Sequence, residues 1–242
     1  MSKIYEALKK AEQEREQSRS PALPRISPAS PPKLPAVEEE YRKLRANLLT
    51  AAGLTGVRTI LVTSPGHGEG ATTVSLGLAR ALGKEKDSRV LLVEANLRTP
   101  ALHRTLALPP DCGFARLLAG DGDEERATVR VEGLGFSVLP VGGSLEAAPR
   151  PDDLEVLGDL VGKLRGRFDF VVIDGAPVNL YADTSLLAPK ADGVILVVEA
   201  DRTPVAEADA AKRQLERVGA RLLGAVLNRK RTYIPAFLEV LL

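Results

Sequence analysis

The chain has almost no cysteine and no long apolar run. Cys112 is its only cysteine, so no disulfide can form within the chain, and no Cys/His spacing typical of a metal site occurs. The longest apolar runs, such as residues 194–198, fall far short of the roughly 20 residues that a membrane-spanning helix needs. The charged N-terminus lacks the apolar core of a signal peptide. We therefore expect a soluble, cytoplasmic protein that reaches a membrane only through a partner.

An excess of either charge is also missing. The 33 Lys and Arg residues nearly balance the 32 Asp and Glu residues, which leaves a formal net charge of +1. Because no overall positive field would attract phosphate backbones, nucleic acid is not expected as a partner. With 242 residues, 44% of them hydrophobic, the chain can bury one core, so we predict one domain and an appendage.

The appendage is predicted at the N-terminus. Residues 1–17 include SKIYEALKKAEQEREQ, which places Ile4, Leu8 and Ala11 at helical spacing among charged residues. Residues 18–36 contain six prolines, a composition that favours an extended, solvated linker. The helix is interpreted as a docking element for another protein, with a frayed terminus as the alternative. Residues 37–242 form the predicted main domain.

The main domain alternates short apolar runs with segments of helical period. Strands are predicted at 57–63, 89–94, 135–140, 168–174, 193–199 and 221–227, and helices near 72–84, 152–165, 182–189 and 203–218. Strands that are apolar on both faces and joined by helices indicate an α/β fold with a mostly parallel sheet covered on both sides. Such sheets bind ligands at the carboxyl ends of their strands.

A glycine-rich turn follows the first predicted strand. The stretch SPGHGEGATT, residues 64–73, stands between a strand and a helix, where backbone N–H groups and the helix dipole favour a phosphate. In the motif G-x-x-x-x-G-K-[ST], Gly70 and Thr72 match, whereas Pro65 replaces the first glycine and Ala71 the lysine. A glycine-rich turn that binds no phosphate is the alternative. The residues expected to contact a nucleotide are Gly66, Gly68, Glu69, Gly70, Ala71, Thr72 and Thr73.

Acidic residues end two further predicted strands. In FDFVVIDGAP the apolar run leads into Asp174, which is the form of a Walker B strand whose carboxylate holds Mg²⁺. Thr72 and Asp174 are therefore the predicted magnesium residues, although a strand-ending aspartate is often only a turn residue. In LLVEANLRTP, Glu94 ends the second strand and Asn96 lies two residues further on.

Several stretches together resemble the bacterial tyrosine kinases of capsular and exopolysaccharide synthesis, within the group of P-loop proteins that includes MinD and ParA. They are EEYRKLRANL, LRTPALHRTLALPPDCGFARLLAG, LPVGG, APRPDDLEVL and IDGAP. The resemblance implies a three-layer P-loop fold, ATP or ADP with Mg²⁺, and a transmembrane polysaccharide co-polymerase as partner. It also implies a homo-oligomer interface at Glu39, Arg42 and Arg45. Asn228 matches the position whose side-chain amide contacts adenine in these proteins, and a simple turn residue at the end of a strand is the alternative.

The chain departs from this family at its catalytic positions. Ala71 stands where members carry the phosphate-loop lysine, and Glu94 and Asn96 stand where they carry a D-x-D pair. Gly66 occupies the position of the second lysine of MinD-like proteins, and the tail offers only Tyr233 as a phosphoacceptor where members end in a tyrosine cluster. We expect weak nucleotide binding and little turnover.

Three hypotheses remain from the sequence. The first is a degenerate kinase-like protein that acts as a regulatory or assembly subunit of a polysaccharide synthesis and export system. The second is an active tyrosine autokinase that phosphorylates Tyr233 or another protein, with Glu94, Asn96 and Asp174 as its catalytic residues. The third is a positioning ATPase of the ParA or MinD type, against which the missing loop lysines and the arginines of the first helix argue. His67 is interpreted as a solvated loop residue.

Overall fold

Short apolar runs form the strands of one sheet, as their β-branched composition predicts. The computed structural model describes residues 23, 25–26, 38–50, 56–85, 88–109, 112–119, 124–142 and 150–230. The strands are Arg25–Ile26 (β1), Thr59–Thr63 (β2), Val90–Glu94 (β3), Val129–Val131 (β4), Ser137–Leu139 (β5), Phe170–Asp174 (β6), Gly193–Glu199 (β7) and Leu222–Asn228 (β8). The helices are Glu38–Thr50 (α1), Ala71–Gly83 (α2), Leu102–Thr105 (α3), Phe114–Leu118 (α4), Glu124–Ala127 (α5), Pro151–Leu164 (α6), Asp183–Leu187 (α7) and Val205–Arg217 (α8), with a 3₁₀ helix at Ala188–Lys190.

The strands pair in the order β1-β4-β5-β3-β6-β2-β7-β8. Every pair is parallel except β4 with β5. The predicted α/β fold with a mostly parallel sheet is therefore confirmed. Within the described residues, each strand and helix predicted for the main domain is present, with its ends within two residues of the expected positions.

Two short strands were not predicted. The three residues of β4 are too few to show a period, and β1 lies inside the segment expected to be a solvated linker. Arg25 and Ile26 pair with Arg130 and Val131, and Leu23 packs against the core. The expectation of a solvated chain was wrong for these residues. An edge strand pairs through its backbone groups, and the composition of two residues gives no sign of that pairing.

Alternation along each strand sends side chains to two cores, one on each face of the sheet. In β3, Leu91 and Val93 join the core beneath α6, α7 and α8, whereas Val90 and Leu92 join the core beneath α1 and α2. All five residues of β2 and of β3 are buried. The predicted three-layer arrangement follows, and the carboxyl ends of the central strands meet at one edge.

Helix α1 packs on α2 through an aromatic ring laid on a glycine. The Tyr41 ring occupies the space in which a Cβ of Gly77 would stand, and the Tyr41 hydroxyl donates to the Thr73 carbonyl at 3.3 Å. Glu38 pairs with Arg80 at 3.0 Å and with Lys84 at 2.8 Å. The contact places α1 over the helix that carries the phosphate loop.

Adding one methyl group at Gly77 tests this packing. We expect Gly77→Ala to lower the free energy of unfolding by about 1–3 kcal/mol, because the new Cβ overlaps the Tyr41 ring. The matched control is Gly162→Ala, also within a helix, where nothing lies within 4 Å of the added Cβ; it should be neutral or stabilising by up to about 1 kcal/mol. Urea denaturation measures both changes. Equal effects at the two sites would show that the ring does not rest on Gly77.

Candidate functional site

The strand order brings the predicted site residues to one edge of the sheet. Strand β6 lies between β3 and β2, so that Asp174 is opposite Glu94 on one side and Val62 on the other. The phosphate loop follows β2, and Asn228 ends β8 on the far side of β7. This edge therefore contains the phosphate loop, the predicted Walker B carboxylate and the end of the last strand.

Two glycines give the loop its shape. Gly68 has φ of 81° and Gly70 has φ of 97°, conformations that side-chain-bearing residues rarely adopt. A Cβ on Gly70 would also overlap the Asn228 amide. Helix α2 then begins at Ala71, and the Val74 N–H donates to the Gly70 carbonyl at 3.0 Å. The loop thus turns directly into a helix N-terminus, as an anion site requires.

The Glu69 carboxylate stabilises this loop by accepting two hydrogen bonds. Its side chain is buried; its Oε2 accepts from the Gly66 N–H at 3.1 Å, and its Oε1 accepts from the Thr203 hydroxyl at 2.7 Å. Glu69 and Gly66 were both predicted to contact a nucleotide. In this structure the Gly66 N–H is already paired with Glu69, which leaves the N–H groups that follow it as the donors of the predicted anion site.

Asn228 also holds the loop. Its Nδ2 donates to the Glu69 carbonyl at 2.8 Å, and its Oδ1 accepts from the Arg229 N–H at 2.9 Å. Both polar atoms of the amide expected to read adenine are engaged with the chain. The reading of adenine by this residue stays a prediction.

Asp174 lies in the position expected for a magnesium residue. It is buried, the Ser75 hydroxyl donates to its Oδ1 at 2.9 Å, and the Thr72 hydroxyl also donates to it. Burial raises the pKa of Asp174 to about 7, assisted by the Glu94 charge and opposed by the two hydroxyls. A cation bound at neutral pH would therefore have to displace a proton.

Mg²⁺ fits these donors, because a hard cation prefers oxygen ligands and would offset the buried charge. In P-loop proteins the chain supplies only a hydroxyl and one carboxylate to the metal. Thr72 and Asp174, which are hydrogen-bonded to each other, have the chemistry of those two groups, and their role as magnesium ligands stays a prediction. Across the described residues no group of three His, Cys, Asp or Glu side chains could hold a metal, so the donors do not form an independent metal centre.

Glu94, predicted as a degenerate catalytic carboxylate, accepts three backbone hydrogen bonds. Its Oε1 accepts from Ala101 at 2.6 Å and Leu102 at 2.7 Å, and its Oε2 accepts from Val141 at 2.9 Å. Burial raises the pKa of Glu94, and the three N–H donors act in the opposite direction. The carboxylate thereby joins the start of α3 to the segment after β5, and the longer glutamate side chain spans that distance.

Asn96 closes a local turn. Its Oδ1 accepts from the Thr99 N–H at 3.1 Å, and its Nδ2 donates to the Thr99 hydroxyl at 3.0 Å. This is the Asx-type bonding that asparagine commonly makes after a strand. The structure thus places Asp174 beside the loop hydroxyls, whereas Glu94 and Asn96 are engaged with backbone and turn.

A second polar cluster contacts the loop, and sequence reasoning missed most of it. His67 Nε2 lies 3.1 Å from the Tyr181 hydroxyl, and the Arg98 guanidinium lies 5.5 Å from the centre of the Tyr181 ring. Arg98 binds both carboxylate oxygens of Asp183, at 2.9 and 3.1 Å. His67, interpreted as a solvated loop residue, is exposed, and it also has a ring partner 114 residues away. No local pattern signals a contact of that separation.

The predicted interface residues on α1 divide into two groups. Glu39 and Arg42 form an exposed ion pair within the helix. Arg45 is 22% exposed and pairs with Glu85 of its own chain at 2.6 Å. Arg45 therefore helps to hold α1 on the domain, and the exposed pair is what remains available to another copy. Tyr233 and the predicted helix 2–17 lie outside the described residues.

Among the described residues, none of the helices has both the length and the apolar character that crossing a membrane requires.

No family model matches the chain. Among curated proteins, the tyrosine-protein kinase YwqD of Bacillus subtilis is 29% identical over 196 residues, which is 80% of this chain and 81% of YwqD. The putative tyrosine-protein kinase CapB of Staphylococcus aureus is 27% identical over 199 residues, with coverage of 80% and 84%. The succinoglycan biosynthesis transport protein ExoP of Rhizobium meliloti is 27% identical over 175 residues, which is 71% of this chain and 22% of ExoP.

Solved structures show the same likeness. The chimerical protein CapA2B2 superposes with a TM-score of 0.73 at 28% identity, covering 91% of this chain and 99% of that one. The VpsO kinase domain gives 0.69 at 29% identity, with coverage of 80% and 96%. The cell division ATPase MinD of Pyrococcus furiosus gives 0.61 at 28% identity, with coverage of 74% and 76%. The chain is therefore similar over most of its length to bacterial tyrosine kinases, and its fold is similar to that of MinD-like P-loop ATPases, with alanine at position 71 of the loop.

Proposed function

We propose that this protein is a degenerate bacterial tyrosine kinase that acts as a cytoplasmic regulatory or assembly subunit of a polysaccharide synthesis and export system. It binds Mg-nucleotide weakly and turns it over little or not at all. The observation that carries the proposal is the alanine at position 71, at the start of α2 and directly behind the loop. The relatives named for tyrosine kinase activity and for succinoglycan transport support the setting.

The missing lysine outweighs what is left of the catalytic machinery. Phosphoryl transfer depends on positioning and on stabilising negative charge, and the loss of one placed donor costs about 3 kcal/mol, on the order of a hundredfold in rate. Glu94 is committed to three backbone N–H groups and Asn96 to Thr99, so neither replaces the lost charge. The absent charge and the engaged side chains both argue for slow turnover.

Binding rests on groups that the chain retains. The loop N–H groups after Gly66 and the N-terminus of α2 suit phosphate oxygens. Thr72 and Asp174 would hold Mg²⁺, and a bound nucleoside triphosphate would supply the transferable phosphoryl group. These residues orient and hold a nucleotide without a positive side chain in the loop itself.

Two surfaces are proposed for assembly. The predicted helix 2–17 would dock on the cytoplasmic segment of a transmembrane polysaccharide co-polymerase, which would bring the protein to the inner membrane. The exposed ion pair of Glu39 and Arg42 on α1 would contribute to a homo-oligomer. The first of these rests on the family resemblance, and the second also on the exposure of that pair.

The proposal predicts binding without efficient chemistry. Isothermal titration with Mg-ADP should give measurable but weak affinity, and single-turnover assays with Mg-ATP should show hydrolysis close to the buffer background. Anti-phosphotyrosine detection should stay negative for the wild type, whereas Tyr233→Phe serves as the control for signal from the tail. Vigorous hydrolysis, or phosphorylation that Tyr233→Phe removes, would overturn the proposal and favour an active autokinase.

A further inference from the structure

An arginine from another part of the chain lies against the phosphate loop. Arg202, in the turn between β7 and α8, places Nη1 3.8 Å from the position that a Cβ on Gly68 would take. Gly68 has no side chain, so the guanidinium stands beside the loop backbone with nothing between them. The loop has no cation of its own, and this arginine brings one to it.

Hydrogen bonds connect the turn that contains Arg202 to the phosphate loop. The Thr203 hydroxyl donates to Glu69 at 2.7 Å and accepts from the Glu199 N–H at 2.9 Å. The Ala200 N–H donates to the Asn228 carbonyl at 2.9 Å, and Asn228 in turn holds the Glu69 carbonyl. The position of the Arg202 backbone relative to the loop is therefore fixed by partly buried hydrogen bonds of its neighbours rather than by the arginine side chain.

The guanidinium has a partner that it can exchange. Arg202 Nη1 lies 3.1 Å from Glu199 Oε2, and Arg229 Nη1 lies 2.9 Å from Glu199 Oε1. The Arg202 side chain is 63% exposed and that of Glu199 is 12% exposed, so water competes for the guanidinium of this ion pair. Since Arg229 would still neutralise Glu199, Arg202 can turn to a more highly charged anion at little cost.

We propose that Arg202 supplies the positive charge that the phosphate loop lacks, by contacting the polyphosphate of a bound nucleoside di- or triphosphate. Arginine suits this role because its planar fork binds two phosphate oxygens at once. The inference rests on the nucleotide binding put forward under the proposed function. It assigns part of that binding to a residue outside the loop motif, whereas a purely structural role would limit Arg202 to supporting the turn.

Both roles predict weaker binding for Arg202→Ala, but they predict opposite results for Glu199→Gln. If Arg202 binds phosphate, Arg202→Ala should weaken Mg-ADP binding about tenfold, which is the effect of losing one charge-assisted hydrogen bond. Glu199→Gln removes the competing carboxylate and should strengthen binding about two- to fivefold. If Arg202 only supports the turn, both substitutions loosen the same contact and both should weaken binding.

The experiment is isothermal titration of the full chain with Mg-ADP at two salt concentrations. Arg202→Lys, which keeps the charge but loses the fork, should retain part of the affinity. Arg213→Ala, a residue on the exposed side of α8 with the same change in net charge, should alter the affinity less than twofold. The salt dependence of binding should be smaller for Arg202→Ala than for the wild type, because fewer charges are in contact.

The possible outcomes separate the two proposals. Wild-type binding that Arg202→Ala leaves unchanged, or that Arg202→Ala and Glu199→Gln weaken equally, overturns the role of Arg202 and leaves the proposed function intact. Failure of the folded wild type to bind Mg-ADP overturns the proposed nucleotide binding, and the role of Arg202 falls with it. Opposite effects of the two substitutions support the assignment.

Discussion

Replacing Glu94 by alanine is expected to lower the free energy of unfolding by about 3–5 kcal/mol. The substitution leaves three backbone N–H groups, of Ala101, Leu102 and Val141, without their acceptor in a buried site. Each unpaired buried donor costs about 1–3 kcal/mol, less whatever water or relaxation recovers. Urea denaturation of the purified protein measures the loss, which should appear as a shift of the midpoint at nearly constant slope.

The matched control for Glu94→Ala is Glu40→Ala. Glu40 is exposed and pairs with Lys43 one turn along α1, so its removal should change stability by less than about 0.5 kcal/mol. Glu94→Asp should fall between the two, because a side chain shorter by one methylene cannot reach all three donors. If Glu94→Ala kept the wild-type midpoint and instead abolished Mg²⁺-dependent nucleotide binding, Glu94 would be a metal ligand and its structural role would be refuted.

Introducing lysine at position 71 is expected to raise nucleotide affinity by about 1–3 kcal/mol, or roughly 5- to 150-fold. Ala71 is the first residue of α2, and the glycines, Thr72 and Asp174 around it already have the arrangement of a phosphate site. The added ammonium would restore the charge that the motif normally contains. Hydrolysis should recover only in part, because Asn96 remains bound to Thr99 and supplies no second carboxylate.

Ala71→Met is the control for that substitution, since methionine has a similar length and no charge. Isothermal titration with Mg-ADP should show a gain for lysine and none for methionine, and the gain should shrink as salt is raised. If lysine and methionine behaved alike, the loop would not be shaped for phosphate, and the glycine-rich turn without a ligand would become the better interpretation.

Much of the site could be predicted because its parts are local patterns. The apolar runs before Thr63 and Asp174 are short, β-branched and bounded by turn residues, so both strands and the residues that end them were found within two positions. The glycine spacing and Thr72 predicted the loop and the helix that follows it. Strands β1 and β4 were not predicted, because a run of two or three residues is too short to show a hydrophobic period.

The partners of polar side chains could not be predicted in the same way. The contacts of Glu69 with Thr203, and of His67 with Tyr181, join residues 134 and 114 positions apart. Sequence reasoning assigned Glu94 to catalysis because it ends a strand and stands where the resembling family carries the first residue of a D-x-D pair. It did not show that three N–H groups would face that carboxylate, because those donors belong to backbone from two other segments.

The layers of this protein and the absence of lysine from its loop follow from the sequence, because hydrophobic periodicity and the identity of residue 71 are local features. Where charge lies around that loop depends on the tertiary structure. Strand β7 lies beside β2 in the sheet, so the turn after β7 brings Arg202 against Gly68 although 134 residues separate them in the chain. Electrostatic contacts depend on distance in space, and for groups this far apart in sequence only the packing of the sheet sets that distance.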